Sequence, residues 1–440
     1  MNKAMNRVSD SLLSLSISVN NSKKKQIIAL FGLSVFVIFI QGLSLLSPIQ
    51  MHHSCGPTLT YFSIFHVHIL CDSYWYVMDA THPTRLLHGG TSLDASNTLI
   101  QDRPLITFLA FIFSRLIMLI PGLHHQIVYK GEDGRPVTYE LSVFLAYEVI
   151  YLIVIMALIY LCFSILRTEL PNQEIPKNLI TFGVFLAFIS CLNQISKIFF
   201  WAPNAGLFNT FVPIYMVWII TKKNSFHDIK FQLVQGTLLS LATLLYPMFI
   251  ICIPVFAILA LSKNRSVAPF SIIISIISFI SWPLAVNLVG GNYLNHPAKN
   301  FHEFTWILDA FQTNSPLSIL KGKFHELILT IPIIPIFGIG IGVFILIISG
   351  EKKLRDYLRL AHLRSIGFEI FVLLFYVSWI FLIGIYDVRF TWGPVLYVIA
   401  VIIRSIFRRD LNCSVWLNAF IFTTTLLIFY SWIFTASAPT

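Results

Sequence analysis

The sequence predicts an all-α membrane protein, a polytopic transmembrane helical bundle of about 11 spans. Charged residues make up only 11% of its 440 residues, whereas a soluble globular domain has about 25%. Runs of about 20 apolar residues recur along the chain, and this is the length that a helix needs to cross a bilayer. Short basic clusters stand beside several of these runs, as they do at the cytoplasmic ends of membrane helices.

Each predicted span is an apolar segment that must satisfy its own backbone hydrogen bonds in lipid, and we therefore expect a helix. The spans are assigned to 27–46, 140–165, 178–200, 205–221, 231–246, 247–262, 267–288, 326–349, 366–384, 389–405 and 416–435. Two of them are separated at Tyr246-Pro247, because a proline disfavours helical conformation at the residue before it.

The basic clusters indicate the orientation of the chain, since cytoplasmic loops are enriched in Lys and Arg. They lie at Lys23–Lys25, Lys222-Lys223, Lys263-Arg265, Lys352-Arg355 and Arg408-Arg409. A cytoplasmic tail of residues 1–26 then precedes a membrane domain of residues 27–440, whose C-terminus is extracytoplasmic. The outer side holds two sizeable loops, 47–139 and 289–325, and the first is expected to contain interfacial helices.

The run 104–121 is apolar enough to span, but charge parity argues against it. Lys25 and Lys222 are both predicted to be cytoplasmic, so an even number of crossings must separate them. Counting 104–121 as a span makes that number odd. We therefore predict a helix that lies in the outer leaflet, with Arg115 near the lipid headgroups.

Composition argues against nucleic-acid and metal-binding classes. The net charge of +10 is divided among clusters beside apolar runs, and no basic face or tract for nucleic acid is present. The six cysteines form no CxxC pair, so a zinc ribbon is not expected. Cys55 and Cys71 would both face an oxidising compartment, where a disulfide can form, but the sequence does not fix their distance. We expect no metal or cofactor, and a divalent cation held by Asp72 and Asp79 is an open but unsupported alternative.

The first loop contains the chain's most concentrated polar chemistry. Asp72, Tyr76 and Ala80 fall at i, i+4 and i+8 of a predicted helix that ends at His82-Pro83. Asp79 follows Asp72 by seven residues and projects from nearly the same side. A carboxylate at a membrane–water boundary can take a proton from an acceptor hydroxyl. The alternative is that Asp72 only caps the helix, since Asp is a good N-cap residue.

Three arginines are candidates to bind a phosphate group. Arg85 and Arg103 lie in the first loop, and Arg103-Pro104 opens the next apolar helix, where proline is well tolerated. Arg389 begins a late span. A guanidinium binds phosphate through two donors and does not deprotonate. The alternative for each is headgroup anchoring, which is common for basic residues at helix ends.

These features together resemble the GT-C superfamily of polytopic membrane glycosyltransferases, which includes protein mannosyltransferases and aminoarabinose transferases. The similarity consists of an Asp in the first outer loop, the D-x3-Y-x3-A pattern from Asp72 and an Arg-Pro that opens an apolar helix. A second likeness is VRFTWGPVLYV around Arg389, which is similar to the R-[YF]-x-x-x-P stretch of many such enzymes. The match covers the overall layout and about 50 residues.

The resemblance implies a hexosyl- or pentosyltransferase that uses a polyprenyl-phosphate sugar donor on the extracytoplasmic face. It assigns Asp72 as the general base, and Asp79 as the runner-up or a second acid that orients the acceptor. It assigns Arg103, Arg389 and Arg85 to the donor phosphate. The acceptor would be a glycan, a lipid or a protein.

The chain also departs from that family's pattern. Asp72 stands about 25 residues beyond the first predicted span, after an apolar, His-containing insertion at 47–71. In many relatives the acid follows the span closely. The chain lacks the WWD-type signature of oligosaccharyltransferases, so that activity is not inferred.

Acceptor binding is assigned to Tyr76 and to the second outer loop, whose NFHEFTW segment contains His302 and Glu303. Aromatic faces can stack on the apolar faces of sugars. The alternative is an interfacial amphipathic helix with its aromatic residues in the headgroup belt.

Other classes remain open from the sequence. An O-antigen polymerase or ligase shares lipid-linked substrates, but its main loop would be expected later in the chain. A transporter or flippase for lipid-linked sugars needs a polar path, and Glu148, Lys197 and Glu369 are few for that purpose. A non-catalytic relative would keep the same layout. Low charge and short loops favour the bacterial inner membrane.

Overall fold

The computed structural model describes residues 28, 31–37, 39, 58–61, 65–68, 71–88, 101–123, 126–130, 136–168, 178–193, 196, 203–291, 293, 302–313, 315–331, 367–384, 388–408 and 425. These residues form helices apart from turns and two short antiparallel hairpins, so the predicted helical fold is confirmed in outline. In chain order the elements are β1 Thr58–Tyr61, β2 Phe65–His68, α1 Cys71–Thr81, α2 Arg85–His88, α3 Pro104–Ile117, β3 Gln126–Lys130, β4 Pro136–Glu140, α4 Leu141–Thr168, α5 Asn178–Cys191, α6 Phe208–Thr221, α7 Ile229–Leu245, α8 Cys252–Lys263, α9 Ala268–Leu288, α10 His302–Gln312, α11 Pro316–Thr330, α12 Gly367–Ile383 and α13 Val388–Arg408.

Most predicted helix boundaries agree with these elements within a few residues. Helix α7 ends at Leu245, and Tyr246 has extended backbone angles before a 3-10 turn at Pro247–Ile251. The predicted break at Tyr246-Pro247 is therefore confirmed. Helix α9 matches the predicted span 267–288 almost residue for residue. The predicted spans 27–46 and 416–435 lie largely outside the described residues.

Two predicted spans are interrupted. The span 178–200 is broken after Cys191, where α5 ends and the Asn193 side chain donates to the carbonyl of Ile189 at 3.1 Å, and most of the residues from 194 to 200 lie outside the described residues. The span 326–349 was wrong at its start, because α11 covers 316–330 and Ile331 is extended. Pro332 follows Ile331, and a residue before proline is disfavoured in helical conformation.

The two hairpins were not predicted. Strand β1 pairs with β2, and β3 pairs with β4, each in antiparallel register. Both lie in the predicted first loop. The second hairpin did have a sequence signal, since Asp133-Gly134 separates two stretches with alternating apolar residues.

Helix α4 is the central element, and it packs against α3, α5 and α6. Helix α6 also packs along α13, and α7 packs along α9. The start of α6 and the end of α7 meet where Phe208 stacks on Tyr246, with ring centroids 6.1 Å apart. We call this the Arg103 end of the bundle. The opposite end, where α4, α6 and α8 finish, is the Lys222 end.

Helices α7 and α9 pack through small and polar side chains. Ser240 Oγ and Ser278 Oγ are 2.7 Å apart, and Ser271 Oγ donates to Gln232 Oε1 at 3.4 Å. These pairs keep the same order along both helices, so α7 and α9 run parallel. Small residues let helix backbones approach closely, and this kind of interface is common between helices in membranes.

The other faces of these helices present large apolar side chains to the surroundings. On α9 they include Phe270, Ile273, Ile277, Ile280 and Leu284. Among the described residues, α4 and α9 are long and apolar enough to cross a membrane by length and composition. A lipid bilayer favours this distribution, in which apolar side chains cover the outside and polar groups form hydrogen bonds inside.

Candidate functional site

Helix α1 presents predicted site residues on its buried face. Tyr76 is fully buried and Asp79 is 3% exposed, and this side of the helix packs against α3 and α4. The helix ends at Thr81, directly before His82-Pro83, as the sequence predicts. The side chains of Tyr76 and Asp79 are thus held inside the fold at the Arg103 end.

Asp79 forms an ion pair with Arg85. The Arg85 Nε and Asp79 Oδ1 atoms are 3.5 Å apart, and the arginine side chain is 35% exposed while the aspartate side chain is 4% exposed. Burial raises the pKa of Asp79 to about 6, and the positive charge of Arg85 only partly opposes this. A carboxyl group with that pKa is largely ionised at neutral pH and still holds a proton well, so it suits general-base chemistry.

Arg103 lies between two tyrosines. Its guanidinium donates a hydrogen bond to the Tyr76 hydroxyl, and its Cζ atom lies 5.9 Å from the Tyr76 ring centroid and 5.2 Å from the Tyr246 ring centroid. Its Nε atom is 3.3 Å from Asp102 Oδ1. Tyr76 belongs to α1 and Tyr246 directly follows α7, so Arg103 connects α1 to the end of α7 through cation–π contacts with both rings.

Two tyrosines of α4 continue this cluster. Tyr147 donates to the Tyr76 carbonyl at 3.1 Å, and it interacts electrostatically with Asp79. Tyr151 accepts from the backbone N–H of Asn204 at 2.7 Å. Helix α4 therefore connects the first-loop helix to the segment that precedes α6.

The short helix that carries Arg85 is fixed by a second set of contacts. Gln101 donates from Nε2 to the Leu86 carbonyl at 2.9 Å, and Trp282 donates from Nε1 to the Gln101 carbonyl at 2.7 Å. Because Leu86 is the next residue after Arg85, these bonds hold the arginine's backbone against α9. The Asp79–Arg85 pair is therefore built from two anchored helices.

Only some predicted site residues are brought together. Tyr76, Asp79 and Arg103 lie in one cluster, with Arg85 at its edge. Asp72 is the second residue of α1 and Arg389 the second residue of α13. His302 and Glu303 are the first two residues of α10. The side chains of these last four lie outside the described residues, so their predicted roles stay predictions.

Sequence reasoning missed the partners that complete the cluster. Tyr246 was identified only as a helix break, and Tyr147 and Asn204 were not identified at all. Tyr246 lies 143 positions after Arg103, and a single sequence carries no periodic signal over that separation. The adjacent Tyr147-Glu148 pair on a strongly apolar helix was the one available hint, since polar residues in such helices often face the bundle interior.

A cavity of about 290 Å³ lies between α11, α12 and α13. Its lining is almost wholly apolar and consists of Leu327, Ile331, Val377, Ile380, Thr391, Pro394, Val395 and Val398. The Thr391 hydroxyl donates to the Thr330 carbonyl at 2.6 Å, which leaves the cavity wall apolar there. Helix α13 forms one side of the cavity, and its first lining residue, Thr391, follows Arg389 by two positions.

Metal ligation has no candidate in the part of the chain that the structure describes, since no group of three His, Cys, Asp or Glu side chains there could hold an ion. The suggested Cys55–Cys71 disulfide lies outside the described residues. Among the described residues, Cys162, Cys191 and Cys252 are buried and form no disulfide.

Comparison with known proteins gives no relative. No family, no curated protein and no solved structure matches the chain.

Proposed function

We propose that the chain is a multi-pass membrane glycosyltransferase of GT-C type. It moves a sugar from a polyprenyl-phosphate donor to an acceptor on the extracytoplasmic face. Membrane insertion is supported by two helices of membrane-spanning length and by the apolar side chains that cover α9. We propose the bacterial inner membrane as its location and about 11 spans in total, with the N-terminus in the cytoplasm.

The observation that carries the proposal is the buried Asp79–Arg85 pair in the first loop. Burial raises the pKa of Asp79 to about 6, and Arg85 beside it is partly exposed. A structural ion pair on a surface would leave the carboxyl pKa near or below its usual value. Perturbed carboxyl groups of this kind cluster at functional sites. On this ground we propose Asp79 as the general base, with Asp72 as the alternative acid.

The reaction follows from these positions. The acceptor hydroxyl oxygen attacks the anomeric carbon of the donor, and the bond between that carbon and the phosphate oxygen breaks. The hydroxyl proton passes to the Asp79 carboxylate, and polyprenyl phosphate leaves with the bonding electron pair. Arg85 stabilises the negative charge on the departing phosphate through charge-assisted hydrogen bonds.

Arg103 takes a different role in this proposal. Its guanidinium is occupied by the Tyr76 hydroxyl, by two ring faces and by Asp102. It is better suited to position α1, and hence Asp79, than to hold a phosphate. Arg389 remains the second phosphate ligand, because it stands at the start of α13 beside the apolar cavity.

The apolar cavity supports a lipid-linked donor. A wall made almost only of aliphatic side chains suits an isoprenoid segment, and Arg389 lies in the first turn of the helix that forms one side of it. With the phosphate at Arg389, the chain would run along α13 past Pro394 and Val398. Arg389→Ala should weaken donor binding, since it removes a charged partner worth roughly 1.5–3 kcal/mol.

The test is a transfer assay with purified protein in nanodiscs. A panel of polyprenyl-phosphate hexoses and pentoses is offered with envelope extract as the acceptor, and release of polyprenyl phosphate is measured. Asp79→Asn should lower turnover about a hundredfold or more while donor binding is kept. Asp228→Asn is the matched control, because Asp228 only caps α7 and asparagine caps helices equally well.

Asp72→Asn completes the design. If Asp72→Asn abolishes transfer and Asp79→Asn leaves it intact, the two acids exchange roles. If neither change matters on any donor that the protein uses, the base assignment is wrong. If no donor in the panel is turned over by the unmodified protein, the enzyme proposal fails.

A further inference from the structure

Cations collect at the Lys222 end of the bundle. Arg167 lies in the last turn of α4, and Lys222 directly follows α6. The other members are Lys223, Lys230, Lys263 and Arg265. The 3-10 turn that follows Lys222 packs against α8, so the loops that carry these residues meet at one surface.

Two of these cations, Arg167 and Lys222, lie at neighbouring helix ends and interact electrostatically. Trp218 Nε1 donates to Ser164 Oγ at 3.0 Å and thereby joins α6 to α4. Arg167 follows Ser164 by three residues and Lys222 follows Trp218 by four, so each lies one helical turn beyond the bond. Partial burial, and then the charge of Arg167, lower the pKa of the Lys222 amine.

The surrounding loops are ordered by their own hydrogen bonds. The Asn264 side chain donates to the His227 carbonyl at 3.4 Å, which connects the loop after α8 to the loop after α6. Asp228 is the one carboxylate of the described loop 222–230, and its Oδ1 accepts from the Lys230 backbone N–H at 3.0 Å. No ion pair joins a described carboxylate to Arg167 or Lys222.

Two like charges held side by side interact unfavourably, and a bound anion removes that cost. We infer that Arg167 and Lys222 bind the phosphate of an anionic phospholipid headgroup. The other four cations would extend the attraction across the surface. Helix α4 is long and apolar enough to cross a membrane, so its last turn lies at headgroup depth. Exposed Ile229 lies beside the same loop and offers apolar contact to the lipid chains.

The inference is independent of the proposed enzyme activity, because it concerns the opposite end of the bundle. The test uses the full chain in detergent, with bound lipid counted by native mass spectrometry during titration with phosphatidylglycerol. Arg167→Gln/Lys222→Gln should weaken phosphatidylglycerol binding roughly tenfold or more. Lys321→Gln removes a cation from an exposed site on α11 and should leave binding unchanged.

Three results would overturn the inference. The first is unchanged affinity in the Arg167/Lys222 double variant. The second is phosphatidylcholine binding as tightly as phosphatidylglycerol, since the site would then not select charge. The third is displacement of the lipid by equimolar glycerol 3-phosphate, which would indicate a site for a soluble anion. Lys222→Arg is the charge-conserving control and should bind phosphatidylglycerol as tightly as the unmodified protein. If Lys222→Arg and Lys222→Gln lowered the affinity equally, the loss would come from disturbed folding and would also contradict the inference.

Discussion

Asp79 and Arg85 form an ion pair whose two partners differ sharply in exposure. The atoms Oδ1 and Nε are 3.5 Å apart, yet the carboxylate side chain is 4% exposed and the guanidinium side chain 35% exposed. Because the cation keeps much of its hydration, it offsets only part of the cost of burying the anion. The pair therefore leaves Asp79 with a raised pKa.

Asp79 should make the stability of the protein depend on pH in a direction opposite to that of most carboxylates. Burial raises its pKa in the folded state from 3.8 to about 6, so the folded state holds the proton more tightly than the unfolded state. Its contribution to stability is greatest below pH 4 and is lost as the pH rises through 6. At pH 8, Asp79→Asn should stabilise the protein by on the order of 2–3 kcal/mol.

Thermal unfolding in one detergent at pH 5 and pH 8 measures this effect. The gain from Asp79→Asn should be larger at pH 8 than at pH 5. Equal shifts at both values would mean that Asp79 has an ordinary pKa. If Asp79→Asn stabilises the protein and abolishes transfer, Asp79 is a functional carboxylate. Removing a carboxylate that only supports the fold would instead destabilise the protein.

Tyr76→Phe should destabilise the protein by about 1–2 kcal/mol. It removes the hydroxyl that accepts from buried Arg103 but keeps the ring and the backbone carbonyl that Tyr147 uses. Tyr160→Phe, on an exposed position of α4, is the matched control and should have no measurable effect. Unfolding midpoints in the same detergent compare the two. Equal midpoints for both variants would show that the Arg103–Tyr76 bond contributes nothing.

Local parts of this site could be predicted from the sequence because local rules determine them. The end of α1 at His82-Pro83 and the start of α3 at Arg103-Pro104 follow from proline's fixed geometry. The i, i+4 spacing placed Tyr76 and Ala80 on one face, and both are fully buried. Such features depend on neighbours within a few residues.

The long-range partners could not be predicted in that way. Gln101 bonds to Leu86 and to Trp282, which is 181 positions away, and Arg103 packs on Tyr246. These pairings depend on how whole helices pack, and neither apolar periodicity nor loop charge specifies them. The sequence therefore predicted the elements of the site but not the long-range contacts that hold them together.

The predicted orientation can be tested at Lys130, in the second hairpin. Helix α3 covers 14 residues, the same length as α6, which is a predicted span, so helix length does not test the prediction that 104–121 does not cross. In a chain with its native cysteines replaced, Lys130→Cys should react with an impermeant maleimide from the extracytoplasmic side. Lys223→Cys should react only from the cytoplasmic side, and labelling of both from the same side would contradict the topology.

The α7–α9 interface should tolerate no added side chain at Gly236. A Cβ atom there would lie 2.6 Å from the Ser271 carbonyl oxygen, and a backbone atom cannot move aside as a flexible side chain can. Gly236→Ala should therefore force the helices apart and weaken the Ser240–Ser278 hydrogen bond. We expect a net destabilisation of about 1–3 kcal/mol, although alanine favours the helix itself.

Gly322→Ala separates this packing effect from helix propensity. Gly322 lies inside α11, and nothing approaches its Cβ position within 4 Å. The same substitution should there stabilise the protein by roughly 0.4–1 kcal/mol, because it only reduces the freedom of the unfolded chain. Unfolding midpoints measured side by side should thus move in opposite directions. If Gly236→Ala raised the midpoint as Gly322→Ala does, α7 and α9 would not be in the close parallel contact that their serine and glutamine pairs indicate.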